Sequence, residues 1–300
     1  MPALHLLRLS TAALGAAAIL GAVPAPAWGQ NAAAQEAPAA TTIATAPDRF
    51  VTFGDVRLRY REVGRGEAVV MLHGLARSLD EWVGLGDSLA LSHRVIVLDQ
   101  RGFGKSSRFG DTRRFGVEMA DDVVRLLDHL RVRRAHLVGH SMGARIAAVV
   151  AMHHPDRVES VTLIAGPFSE DTASFTRDDF GLVRDIQSGV GFRRFLTFMF
   201  PGMSDSLAKV WNDETMAAND PATLVAVYRS MDSLVVLPSR AKTVQAPALV
   251  AVGTGDPLRP ESQWIASWWP RAQLVEVQGA DHLTILYSPQ VLAALRAHVQ

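Results

Sequence analysis

The residues Gly139-His140-Ser141-Met142-Gly143 lie between an apolar run, Ala135 to Val138, and a small-residue amphipathic stretch, Ala144 to His154. This is G-x-S-x-G at a strand-to-helix turn, which makes Ser141 a candidate nucleophile. A serine hydroxyl attacks weakly by itself, and such a turn lifts Oγ clear of the sheet edge while the two glycines permit a cramped backbone. The hydroxyl also needs a base, and the base needs a carboxylate to fix its tautomer and stabilise the imidazolium. Asp256 follows the apolar run Ala248 to Val252 within Gly253-Thr254-Gly255-Asp256-Pro257, and His282 follows Gln273 to Val277 within Gly279-Ala280-Asp281-His282-Leu283. Ser141, Asp256 and His282 stand in the chain order Ser, Asp, His that a nucleophile-elbow architecture uses. The chemistry would be attack on a carbonyl. Its tetrahedral intermediate needs hydrogen-bond donors, and the Met142 backbone N–H at the helix start supplies one.

Other residues compete for these roles. Asp281 adjoins His282, but neighbours in an extended loop point apart, so it is read as a loop cap or a surface charge. Glu170 or Asp171, after the apolar run Val161 to Ala165, could serve as the acid in a variant arrangement. His140 adjoins the nucleophile yet is directed away from its Oγ, which suits packing or a supporting hydrogen bond. His153 and His154 diverge by about a quarter turn on a helix, so they read as a solvated helix end rather than a metal pair.

Short β-rich runs that alternate with helices must position these groups. Val56, Leu58 and Tyr60 alternate with Arg57 and Arg59 as in a half-exposed strand, and Ala68 to Leu72, Arg94 to Leu98 and Val161 to Ala165 read as buried strands. Ser78-Leu79-Asp80-Glu81 has the form of a capping box that opens a helix through Trp82 and Leu89. Met119, Val123, Leu126, Leu127 and Leu130 repeat at helical spacing over 117–130, and Pro289 to His298 makes a final helix. The alternation predicts an α/β fold: a mostly parallel sheet with helices on both faces and sites at the strands' carboxyl ends. About eighty residues, at about 168–244, read helical with no convincing strand, which predicts an inserted helical cap. Most of its Phe192, Phe195, Phe198, Met199, Phe200, Met203, Trp211, Met216 and Met231 would form the cap's core, and the rest would line a pocket facing Ser141.

With these motifs in sequence order, the chain resembles an α/β-hydrolase-fold serine hydrolase from about Phe50 to its C-terminus. The matching features are His73-Gly74, Asp99 to Ser106, Gly139 to Gly143, Gly253 to Pro257 and Gly279 to Leu283. The resemblance implies Leu75 as the second backbone oxyanion donor beside Met142, a supporting role for His73, and a structural turn at Asp99, Arg101 and Ser106. It implies hydrolysis of a small acyl substrate, an ester, lactone or thioester, without cofactor or metal. Serine at the elbow argues against the haloalkane dehalogenase and epoxide hydrolase branches, which carry aspartate there. Carbon–carbon bond hydrolases of the meta-cleavage type share the triad, but they usually carry tryptophan after the catalytic histidine where Leu283 stands here; Arg193 and Arg194 could bind the substrate carboxylate they require. A ligand-binding sensor on the same scaffold is the alternative from another class, and the intact set of triad residues argues against it.

Residues 1–29 carry His5 and Arg8, an apolar run from Thr11 to Val23, and Ala25-Pro26-Ala27-Trp28-Gly29, which reads as a secretory signal peptide too short in its apolar part to span a bilayer. Residues 30–48, rich in Ala, Thr and Pro, read as a flexible linker, so 49–300 would form the folded domain, exported to the periplasm or secreted. The chain has no cysteine, which excludes disulfides, thiol catalysis and thiolate metal sites. Thirty basic and thirty acidic residues without a Lys/Arg run leave no nucleic-acid footprint.

Overall fold

The computed structural model describes residues 41–168 and 173–300. Eight strands form one sheet: β1 (Arg49–Phe53), β2 (Val56–Val63), β3 (Ala68–Leu72), β4 (Arg94–Leu98), β5 (Ala135–His140), β6 (Val158–Ile164), β7 (Ala248–Gly253) and β8 (Ala272–Val277), in the order β1-β2-β4-β3-β5-β6-β7-β8. The first two run antiparallel to their neighbours, and every pairing from β4 through β8 is parallel. The central strands are apolar at successive positions because both faces are covered. In β3, Val70 and Leu72 join one core with the helices Val117–His129 and Met142–His153, whereas Val69 and Met71 join a second core with Trp82, Leu89 and the C-terminal helix Pro289–His298. The period of two along a strand thus divides one apolar run between two cores.

Between β6 and β7 the described residues are helical, with helices at Ser174–Arg177, Leu182–Gln187, Arg193–Met199, Asp205–Ala218, Pro221–Ser230 and Pro238–Ala241. Phe192, Met199 and Met231 from this segment are buried. The segment is tied to the helix that follows β5. Arg145, one turn along the helix that starts at Met142, is fully buried; its Nε donates to Leu234 O at 3.2 Å and its guanidinium stands 4.9 Å from the Phe175 ring. None of the helices among the described residues is long and apolar enough to cross a membrane.

Three expectations are corrected. The linker predicted over 30–48 ends earlier, because Ile43 and Ala46 are buried in the second core and Asp48 pairs with Arg59, Arg61 and Lys105; residues 1–40, including the predicted signal peptide, lie outside the described residues. The strand β2 is less exposed than its alternation suggests: Arg59 is buried because Asp48 and Asp99 neutralise it, at 2.7 and 3.0 Å. The helix expected from Ser78 through Leu89 is instead a 3₁₀ turn, Leu79–Trp82, and a separate helix, Leu85–Leu89, divided by Gly84 at φ 89°. Ser78 does cap the first turn, accepting the Asp80 N–H, but Glu81 turns away from the cap into the interior.

Candidate active site

The loops after β3, β5, β7 and β8 emerge at the carboxyl ends of neighbouring strands, which brings residues far apart in sequence to one rim of the sheet. Ser141 follows β5 directly and takes φ 53°, ψ −118°, outside the regions an L-residue prefers, at a cost of about 1–3 kcal/mol. Its N–H donates to Ile164 O at 2.9 Å, which ties the turn to β6. Both flanking glycines are obligatory on steric grounds. A Cβ on Gly139 would collide with the Gly143 carbonyl, and one on Gly143 with the Leu72 carbonyl at the end of β3. Gly143→Ala should therefore destabilise the fold by about 3 kcal/mol or more, a fall in Tm of at least about 6 °C; an unchanged thermal melt would show that the helix need not approach β3 so closely.

His282 Nδ1 lies 2.9 Å from Asp256 Oδ2, both side chains nearly inaccessible, and Asp256 Oδ1 accepts the Leu258 N–H at 2.8 Å. Their loops are joined backbone to backbone: Gly255 N–H donates to Ala280 O at 2.9 Å and Thr254 N–H to Val277 O at 3.0 Å. Burial pushes the His282 imidazole below its ordinary pKa and the nearby His140 adds to this, against the Asp256 hydrogen bond, so the ring stays neutral and able to accept a proton. Phe200 closes over it from the helical segment, with ring centroids 6.4 Å apart.

Leu75 and Met142 flank Ser141 in the wall of a cavity of about 240 Å³, otherwise lined mainly by Phe168, Phe175, Phe180, Phe195, Phe198 and Met199. Met142 opens its helix, so its N–H has no partner within the helix. The loop that carries Leu75 is held at several points. Gly74 N–H donates to Glu81 Oε2 at 2.9 Å, and Asn219 Nδ2 donates to the carbonyl of Ala76, which stands at φ 61°. His73 is spoken for on both ring nitrogens: Nε2 accepts the Gln100 N–H at 3.0 Å, so Nδ1 carries the proton and donates to Gly74 O at 2.8 Å. Burial lowers its pKa and keeps this neutral form.

The competing residues have other partners. Asp281 Oδ1 accepts the Leu283 and Thr284 N–H groups and the Thr284 hydroxyl, which makes it a loop cap. Asp99 accepts from the Leu79 and Lys105 backbone and from Arg59, Ser106 donates to Asp99 O, and Arg101 pairs with Asp122 in the interior. These three form the structural turn. Arg193 and Arg194 do not line the cavity; Arg194 pairs with Asp185. His154 pairs with Asp121 at 3.2 Å, while His153 is exposed. Glu170 and Asp171 lie outside the described residues.

What the sequence did not disclose is the environment of His140. Its Nδ1 lies 3.1 Å from Glu81 Oε1 and its Nε2 2.8 Å from His282 O, all in the interior. The pattern Ser-x-x-Glu reads as capping, and only the adjacency of β3 and β5 brings Glu81 to His140.

A protein-family model described as the alpha/beta hydrolase fold matches residues 67–289. The chain is 28% identical over 249 residues to RutD of Azorhizobium caulinodans, whose name proposes carbamate hydrolysis, across 79% of this chain and 92% of that one. It is 28% identical over 253 residues to the 2-hydroxymuconate semialdehyde hydrolase of Pseudomonas sp. strain CF600, covering 79% and 87%. Among solved structures, Est816, described as an N-acyl homoserine lactone degrading enzyme, superposes with a TM-score of 0.65 at 26% identity over 84% of this chain and all of that one.

Proposed function

We propose that this chain, which belongs to the α/β-hydrolase family, cleaves carboxylic esters or lactones through an acyl-enzyme formed on Ser141. The observation that carries the proposal is the position of Ser141: on a strained turn, in the wall of an aromatic cavity, directly after His140, whose Nε2 lies 2.8 Å from the backbone carbonyl of His282 in the buried His282–Asp256 pair. Ser141 Oγ attacks the carbonyl carbon and its proton passes to His282 Nε2, while the Asp256 carboxylate holds Nδ1–H and balances the imidazolium. The oxyanion accepts from the Leu75 and Met142 N–H groups. The imidazolium then protonates the leaving alcohol. Water, activated by the same base, releases the acid and restores the serine.

The walls favour an apolar acyl group with a polar atom along it. The Tyr228 hydroxyl and Glu261 Oε2 are buried without a protein partner and both residues line the cavity. Burial also raises the Glu261 pKa above its ordinary value, which favours the protonated carboxyl. Met199 is buried at the cavity wall, so Met199→Ala should raise kcat/KM for longer acyl chains relative to short ones by roughly tenfold. An unchanged chain-length profile would place the acyl chain elsewhere.

The test is labelling by a fluorophosphonate probe, mapped by peptide sequencing, combined with hydrolysis of short esters, long esters, lactones and ring-cleavage diketones. Labelling at Ser141 with ester or lactone turnover is expected. A folded protein that is not labelled would favour the ligand-binding alternative, and preferred cleavage of the diketone would favour carbon–carbon bond hydrolysis. Residues 1–29, whose sequence reads as a secretory signal peptide, support a reaction outside the cytoplasm, which N-terminal sequencing of the mature protein checks.

A further inference from the structure

Glu81 and His140 sit between the groups assigned to the reaction without touching the substrate cavity. Each of their four polar side-chain atoms meets a partner. Glu81 Oε2 accepts the N–H of Gly74, the residue before the oxyanion donor Leu75, and Oε1 meets His140 Nδ1 at 3.1 Å. His140 directly precedes Ser141, and its Nε2 lies 2.8 Å from the backbone carbonyl of His282. One unbroken path therefore joins the oxyanion loop, the nucleophile turn and the base. A Cβ on Gly74 would lie 3.3 Å from both His140 Nδ1 and Ser141 Cβ, so these segments approach too closely to leave easy room for a side chain between them.

The hydrogen-bond chemistry also fixes where the protons are. A carbonyl only accepts, so His140 Nε2 must carry a proton. One further proton lies between Nδ1 and Glu81. Glu81 also accepts from Gly74 and has Arg77 Nε at 3.5 Å, both of which favour its ionised form. The second proton then belongs to His140, which becomes an imidazolium paired with a carboxylate, and whose ring lies 4.9 Å from that of His282.

We propose that Glu81 and His140 form a buried positioning pair that holds the Leu75 loop and the His282 backbone at fixed offsets from Ser141 and keeps a positive charge beside the catalytic imidazole. It rests on the serine-hydrolase proposal above. The charged and titratable groups that face His282 are Asp256 from the loop after β7, His140 from β5, Glu81 from the 3₁₀ turn and Asp281 from its own loop; those that face Glu81 include His73 and Arg77. Of the pair, His140 is nearer to His282, so its charge opposes protonation of the base more than Glu81 favours it. Directions agree on both partners. Burial lowers the His140 pKa but Glu81 more than restores it, and burial raises the Glu81 pKa but His140 holds it well below the usual carboxylate range.

The test is the pH dependence of fluorophosphonate labelling and of ester turnover in the full chain and in Glu81→Gln, from about pH 5 to about pH 9. The glutamine keeps the shape but lets His140 lose its charge, so His282 protonates more easily and the acidic limb moves to higher pH. At a pH on that limb labelling should fall roughly tenfold beyond any loss at the plateau. At the plateau kcat should fall roughly 10- to 100-fold with KM little changed, because the donor and base lose their registration. His140→Gln, which can still donate to the His282 carbonyl, serves if Glu81→Gln fails to fold and should move the limb in the same direction. A folded variant with reduced activity and an unmoved limb overturns the charge assignment. Full activity overturns the positioning role. No labelling of the unmodified protein overturns the serine-hydrolase proposal and this one with it, whereas labelling of that protein with an unmoved limb in the variants overturns this one alone.

Discussion

Ser141→Ala is expected to lower kcat on an activated ester by a factor of roughly 10⁴ or more while leaving the protein folded. The size of the loss follows from the chemistry removed. Without Oγ no acyl-enzyme forms, and the remaining Leu75 and Met142 donors can only stabilise direct attack by water. The residue's backbone makes the prediction sharper. Ser141 stands at φ 53°, a conformation that alanine dislikes as much as serine does, so the alanine variant should melt close to the unmodified protein. Glycine adopts this conformation freely. Ser141→Gly should relieve about 1–3 kcal/mol of strain, less about 0.5–1 kcal/mol for the greater freedom of its unfolded chain, and melt a few degrees higher while equally inactive. Both measurements are needed: turnover on an ester, and Tm by calorimetry. An active alanine variant would remove Ser141 from the mechanism. A glycine variant that melts lower would show that the turn stores no strain.

Much of this arrangement can be read from sequence because parallel strands buried on both faces are continuous apolar runs, and such sheets put their sites at strand ends. The runs before Ser141 and Asp256 are of this kind and point to the fold class, while the strand before His282 is a partly exposed edge strand; the loop after each strand names the residue to examine. The strand Val56–Val63 reads as half-exposed in sequence because a single arginine such as Arg59 in an alternating pattern looks solvated; two aspartates at distant positions, Asp48 and Asp99, make its burial possible. Glu81 was hidden for a different reason. A glutamate three residues after a serine satisfies the capping pattern whether it turns back to the cap or inward, and the choice depends on His140, fifty-nine residues later in the chain. Local spacing shows what a residue can do near itself. The supporting shell of a site built from four strand ends is set by contacts between those strands.

Asp256→Asn should lower kcat by a factor approaching 10⁴, and the reason lies in Leu258 rather than in the lost charge alone. Asp256 uses two oxygens in two directions: Oδ2 takes the proton of His282 Nδ1 at 2.9 Å, and Oδ1 accepts the Leu258 N–H at 2.8 Å. An asparagine in the same place has one oxygen and one NH₂. The Leu258 N–H is a fixed donor, so the amide oxygen must face it and the NH₂ must face His282. Nδ1 is then compelled to accept, and the single proton of the neutral ring moves to Nε2, the nitrogen that must be free to take the proton of Ser141. Asp256→Ala leaves the tautomer unconstrained and should retain more activity than Asp256→Asn, although it removes more of the side chain. A steady-state comparison of the two variants decides the matter, since equal or greater loss in the alanine variant would mean that the carboxylate acts through its charge and packing instead. The pH profile offers a second check. The Asp256 carboxylate raises the pKa of His282, so its loss lets the ring shed its proton at lower pH and moves the acidic limb downward in Asp256→Ala. Glu81→Gln should move the same limb upward. Removing the two carboxylates should thus move the limb in opposite directions, because Asp256 addresses the ring directly whereas Glu81 acts chiefly by holding the charge of His140.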